Sequence, residues 1–425
     1  MKDMAVPRIT KLSAGASLLV LSAAATLALG ACSDSVDVVL DSLPDGGDTG
    51  TTIPPLDATS ESDAGGSPDA SDDASSDADA SARICSDDGF CHSTVPKGQN
   101  LVGVWGDGTG IVWAVSRSGG VLRWDGTSWN VHTQLTSVAG TNYEIWGSGP
   151  ADVWVLTPGG LFHGEGPRSA ELVFAPVDLP GDPSIPIRSI GGTGPNDIWA
   201  VGGFTNDRVN PWVWKGRVLH YDGDTAGDGS GWTVDETPPN VAFSIVRASA
   251  DGGAWLVGQE YRRGMNPVLL GALFQRPPGS STWVAVEPPR DALGTTRSGA
   301  AEFTAAGLSL DNALWLGGWT NNGGVSGVWR GTSTAPQTFD WSFTQANDWE
   351  RPIVAFWGTG PSDTWGVGGS GLVTHWNGTD WQQAIIRVTD IPVGKSFNAI
   401  WGKSNDDLWV VGDEVALHRT PAGKP

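Results

Sequence analysis

Between residues 101 and 133 apolar and polar positions alternate in four short runs, separated by turns rich in Gly and Asp. Residues 101–105 predict an inner strand, Gly106-Asp107-Gly108-Thr109-Gly110 a turn, and 111–115 a second strand. Gly119-Gly120 reverses the chain before a third strand at 121–124, Asp125-Gly126 reverses it again, and Trp129 opens a fourth. Period-two alternation bounded by Gly and Asp turns is the pattern of antiparallel hairpins. No window of useful length repeats its apolar residues every 3.6 positions, so almost no helix is expected.

The unit recurs. A Trp closes a glycine-rich signature at Trp113, Trp154, Trp199, Trp255, Trp315, Trp365 and Trp409, at spacings of 41, 45, 56, 60, 50 and 44 residues. The fullest copies run from Trp146-Gly147 through Asp152 to Trp154, and from Trp357-Gly358 through Asp363 to Trp365. A period of this length made of short strands predicts an all-β, seven-bladed β-propeller with four-stranded antiparallel blades. Third strands end at Arg123, His163, His220, His375 and His418. Fourth strands open at Trp129, Trp232, Trp283, Trp341 and Trp381, with blade 2 less distinct. Most of the 23 Trp residues thus take repeat positions, where their rings are expected to wedge between blades. Blade 7 holds three strands. Its fourth is expected from residues 90–96, which would close the ring and cover an exposed sheet edge.

The ends of the chain add placement to architecture. Lys2, Arg8 and Lys11 precede a small, apolar stretch at 14–29, and Leu29-Gly30-Ala31-Cys32 follows. This order reads residues 1–31 as an export signal, too interrupted by Gly, Ser and Thr for a spanning helix. Residues 32–83 carry 13 acidic residues and one base among Asp, Ser, Ala, Gly and Pro. Such a segment cannot bury enough apolar surface to offset its ordering entropy, so it is read as a disordered tether. It accounts for much of the net charge of −22. The rest carries no basic stripe, which argues against nucleic acid as a partner. Residues 84–425 make the propeller. Within them Cys85 and Cys91 favour a disulfide, since an exported chain keeps such bonds.

Candidate chemistry is weak. One His per blade at the same slot does not converge on a metal, and the Asp residues two places before the repeat Trp are expected to accept backbone N–H bonds in their own turns. The Gly-x-Gly stretches repeat by blade with no helix after them, so they are not phosphate loops. The stretch Asp222-Gly-Asp224 to Asp228 has calcium-loop flavour but departs from the spacing of such loops, and whether the Asp-rich segments bind calcium stays open. No cofactor and no catalytic residue is expected. Departures from the repeat are more informative. The segment from Trp199 to His220 is lengthened, as are those of blades 4 and 5, and all three emerge on one face. Trp212, Trp319 and Trp349 fit no repeat slot, and with Tyr261, Arg262, Arg263 and Arg351 they fall on connections at that face. Exposed aromatic and Arg residues on a rigid scaffold are binding material; tucking beneath their own loops as satellite cores is the alternative.

On these motifs the chain resembles the Trp-rich β-propeller lipoproteins of gram-negative bacteria. The resemblance rests on the Trp-Gly-x-Gly-Pro-x-Asp-x-Trp repeats and on the lipobox and Asp-rich tether. It is similar in plan to WD40 and sialidase-type propellers, although Asp125-Gly126 departs from the sialidase Asp-box. The resemblance implies that Cys32 is lipidated, and that Ser33 after it directs the protein to the outer membrane. The functional expectation is a non-enzymatic surface lipoprotein, anchored through its N-terminal lipid and binding an extracytoplasmic protein or glycan. A polysaccharide-active hydrolase or lyase and a purely structural envelope protein are the alternatives.

Overall fold

The computed structural model describes residues 84–420 except 137, 207, 209–211, 224–230, 263–267, 290–299, 321–324, 336–337, 346–351 and 389–390. Seven four-stranded antiparallel sheets follow one another as blades. Blade 1 comprises Leu101–Gly106, Val112–Ser116, Gly120–Trp124 and Trp129–Gln134, each strand pairing with the next, as the alternation predicts. Blade 2 supplies the indistinct outer strand at Val173–Pro176, reached through a single 3-10 turn at Ser169–Glu171. A two-stranded ladder, Arg387–Val388 with Ile391–Pro392, lies between blades 6 and 7; no sequence pattern announced it.

The ring closes as expected. Phe90–Ser93 pairs antiparallel with Val415–Arg419, so the N-terminal strand is the outer strand of blade 7. Phe90 is fully buried and meets Trp365 of blade 6 edge to face, with centroids 5.5 Å apart. The Cys85–Cys91 disulfide ties the approach to that strand.

Seven hydrophobic clusters hold the ring, and each lies between two blades rather than within one. In each, the second-strand Trp of one blade packs against strands of the next. Trp113 meets Val153, Val155 and Phe162 of blade 2; Trp409 of blade 7 meets Leu101, Val112 and Leu122 of blade 1. Trp154, Trp199, Trp255, Trp315 and Trp365 fill the other five interfaces. A flat ring on a twisted sheet face supplies the large apolar area that one thin blade lacks.

Candidate functional site

Beside the second-strand Trp, several blades build one polar motif. In blade 2 Asp152 Oδ1 is 2.6 Å from His163 Nε2 and accepts the indole N–H of Trp154 at 2.9 Å, while Ser148 Oγ donates to its other oxygen. His163 lies flat on Trp154, centroids 3.8 Å apart. Blade 3 repeats this with Asp197, Trp199, His220 and Thr193. Blades 6 and 7 keep the Asp–His pair and the stack through Asp363–His375 and Asp407–His418. The carboxylates therefore accept side-chain donors that lock Trp and His, and not the backbone N–H bonds that turn chemistry led us to expect. The His220 hydrogen bond, with help from Thr193 and Trp199, holds the Asp197 carboxyl below the usual range against the pull of burial. Burial pushes the Asp152 carboxyl up, but bonds from His163, Ser148 and Trp154 together outweigh it and leave it low. Each imidazole is consumed in its own blade, and among the described residues no three His, Cys, Asp or Glu side chains gather as a metal-holding group.

Register defines a second slot on the inner strand, opposite the repeat Trp. Blades 6, 7, 1 and 2 fill it with Trp357, Trp401, Trp105 and Trp146. Blades 3, 4 and 5 fill it with Gly191, Arg247 and Gly307. Each of the four indoles covers the glycine that follows the same slot in the next blade. Trp105 ring atoms lie 2.7 Å from where a Cβ on Gly147 would sit, and Trp146 and Trp357 lie 2.9 Å from such an atom on Gly192 and Gly402. Trp401 stands against Gly106 in the same way. The Gly in each Trp-Gly pair is thus a seat for the preceding blade's ring, a packing role more than a turn role.

These strands surround a central cavity of about 480 Å³ that every blade lines. Arg247 crosses it. Its Nη1 reaches Glu144 Oε1 of blade 2 at 2.9 Å, and its Nε donates to Ala306 O of blade 5 at 2.9 Å. Glu144 Oε2 accepts the backbone N–H of Ile190 at 2.8 Å. Glu144 itself stands where the other blades carry Gly103, Ser189, Ile245, Ala305, Ala355 and Ala399. This pair joins blades 2, 3, 4 and 5. Sequence reasoning missed it, although Arg in a slot of Trp and Gly was the available signal. A further cavity of about 440 Å³ lies between blades 7 and 1 beside Trp124 and Trp401; its charged groups are committed, Asp407 to His418 and Lys403 Nζ to Gly108 O at 2.8 Å.

The lengthened segments prove to be hairpins more than loops. Asp197–Asn206 pairs with Val213–Tyr221, and Ala254–Arg262 with Val268–Arg276. Blade 5 pairs Leu314–Thr320 with Ser326–Ala335. Trp212, Trp214 and Tyr261 form an aromatic cluster across blades 3 and 4, with centroids 5.1 to 6.0 Å apart. Trp214 and Tyr261 are buried there and Trp212 is half-buried, so this part takes the satellite-core form. Arg262 is exposed and its Nε donates to Glu260 Oε2 at 3.1 Å. Trp319 is half-buried on its strand, opposite Glu302 and Ser326. Arg263, Trp349 and Arg351, like Cys32 and most of the Asp222–Asp228 stretch, lie outside the described residues. The structure thus brings Trp212 and Tyr261 together beside Arg262, with Trp319 on the next hairpin.

No family model and no curated protein sequence matches the chain. Solved structures do. YCF48 bound to a D1 peptide shares 14% identity at a TM-score of 0.54, covering 80% of this chain and 99% of that one. A catalytically inactive virginiamycin B lyase from Staphylococcus aureus with quinupristin shares 13% at 0.54, covering 78% and 98%. The extracellular domain of a putative hybrid two-component system, BT4673 of B. thetaiotaomicron, shares 14% at 0.52, covering 77% of this chain and 39% of that one. All are β-propellers. The chain shares their fold.

Proposed function

We propose that this is an envelope lipoprotein whose propeller is a non-enzymatic binding module, engaging an extracytoplasmic protein through the hairpin face of blades 3 to 5. The observation that carries the reading is the lengthening of the second–third hairpin in three consecutive blades on one face, with Trp212 and Arg262 at the end of two of them. A rigid ring that presents aromatic and Arg side chains on projecting hairpins suits protein recognition. The peptide-bound YCF48 structure supports a propeller of this size taking a polypeptide. The anchor in this reading is the lipid that the lipobox resemblance implies on Cys32; among the described residues no helix is long and apolar enough to cross a membrane. The competing hydrolase reading calls for two carboxylates facing one bond. The central cavity offers one among its described residues, Glu144, already held by Arg247.

The test uses the full chain carrying Cys32→Ser, which should move from the membrane to the soluble fraction. Retention on the membrane would overturn the anchor. Cross-linking to envelope proteins should capture a partner that the Arg262→Ala variant loses without a lower melting temperature. Undiminished capture by that variant would overturn the surface.

A further inference from the structure

We propose a second binding site, independent of the hairpin face: the central cavity takes a neutral saccharide of one or two rings. Its volume of about 480 Å³ falls within the range of small-molecule pockets. Trp357, Trp401, Trp105 and Trp146 form a continuous arc of half-buried indoles around one side. Each is seated against the next blade's glycine and lines the cavity while partly packed in the cluster between the two blades. A ring fixed by packing is preorganised, and the C–H face of a pyranose is a complementary apolar surface.

Opposite the arc Arg247 supplies the polar side chain, and its pairing with Glu144 of blade 2 leaves the wall without net charge. Arg247 and Glu144 are the only ionisable groups of the Asp, Glu, Lys, Arg or His type on the described cavity wall, and they neutralise each other. An anion gains little from a guanidinium already paired, and a cation gains little from a carboxylate whose two oxygens accept from Arg247 and Ile190. Arg247 Nη2 has no hydrogen bond among the described residues, so it can donate to a hydroxyl. A wholly apolar guest would strip water from these groups without replacing its bonds. Uncharged hydroxyls with an apolar ring face fit both sides. Gly191 leaves room on this side, since a Cβ there would meet nothing nearer than Val246 O at 3.7 Å, whereas one on Gly307 would run into Phe356 at 2.6 Å.

Saturation-transfer NMR and titration calorimetry on the full chain carrying Cys32→Ser would test this with cellobiose, maltose, lactose and N,N′-diacetylchitobiose, and with digalacturonate as charged control. At least one neutral disaccharide should bind, and digalacturonate should bind more weakly. Gly191→Leu, which projects a side chain into open cavity, should weaken binding by about tenfold or more with an unchanged melting temperature. Trp357→Phe, which keeps an aromatic seat on Gly402, should weaken it several-fold and serves if the first variant folds poorly. Trp212→Ala should leave saccharide affinity unchanged, so failure here and failure at the hairpin face are separable. Absence of binding by every neutral sugar, preference for the acidic one, or full affinity in both cavity variants would overturn the site.

Discussion

Blades 6, 7, 1 and 2 share their strand plan with blades 3, 4 and 5 but solve the channel differently. The first group fills the inner slot with Trp and turns tightly from second to third strand, as at Gly119 and Gly160. The second group replaces those rings with Gly191, Arg247 and Gly307 and extends the same hairpin outward. One arc of the ring is therefore scaffold repeated faithfully. The other gives up inner packing and gains a polar crossing and a projecting surface. Both proposed sites involve the arc where a repeat position is surrendered, and a propeller can spare a ring there only if something else ties the blades.

The largest effect should come from the Trp wedges, which both arcs share. Trp154→Ala removes a buried indole, its bond to Asp152 and the platform under His163, at a cost of about 3–5 kcal/mol. Trp255→Ala should fall at the low end of that range, since Gln275 stands opposite it and Gly253, not Asp, stands two places before it. Chemical denaturation of both variants checks this; equal costs would mean that the Asp–His bracket adds nothing to the wedge.

Next comes the glycine seat. Gly147→Ala must displace Trp105, whereas Gly191→Ala makes only an ordinary contact with Val246 O at 3.7 Å. The first should destabilise by about 1–3 kcal/mol and the second by less than about 1. Similar melting temperatures would remove the packing reason for the Trp-Gly pair.

These two contrasts also explain what the sequence made legible. Blade number, strand order and the closing strand follow from a 41- to 60-residue Trp spacing and Gly turns, because wedge and turn are local chemistry repeated seven times. The role of Asp152 was missed because its partners, His163 and Ser148, reach it only once three strands align. The Arg247–Glu144 contact spans 103 residues and two unrelated slots, so no spacing rule could pair them. At the hairpin face, Tyr261 carried the right composition for a contact residue, yet the neighbouring blade's Trp212 and Trp214 bury it.

Arg247→Met sharpens the comparison further. It leaves Glu144 Oε1 and the buried Ala306 O without their Arg247 donor, and should cost about 1–2 kcal/mol. The loss should fall on blades 2 to 5, so hydrogen exchange ought to accelerate there before it does in blade 7. Uniform acceleration around the ring would show the crossing to be no special tie for the open arc.

The smallest effect is the pH dependence contributed by the Asp–His brackets of blades 2 and 3. Asp197 and Asp152 both titrate below their ordinary value in the folded protein. An unfolded Asp takes up its proton near about pH 3.9, so between that value and the lower folded one the unfolded chain binds more protons. The stabilisation is therefore complete above about pH 5 and is lost as pH falls through the folded value. Partial exposure limits it to less than about 1 kcal/mol for each bracket. Asp197→Asn should lower the melting temperature at pH 7, flatten its decline on acidification, and approach the wild type near pH 3. Blade 4 gives the control: Gly253 stands where blade 3 has Asp197 and Gln275 where it has His220, so Gln275→Glu should not reproduce the wild-type acid slope in the Asp197→Asn background. If it did, general surface charge would govern acid stability, and the bracket would lose its place in setting the two arcs apart.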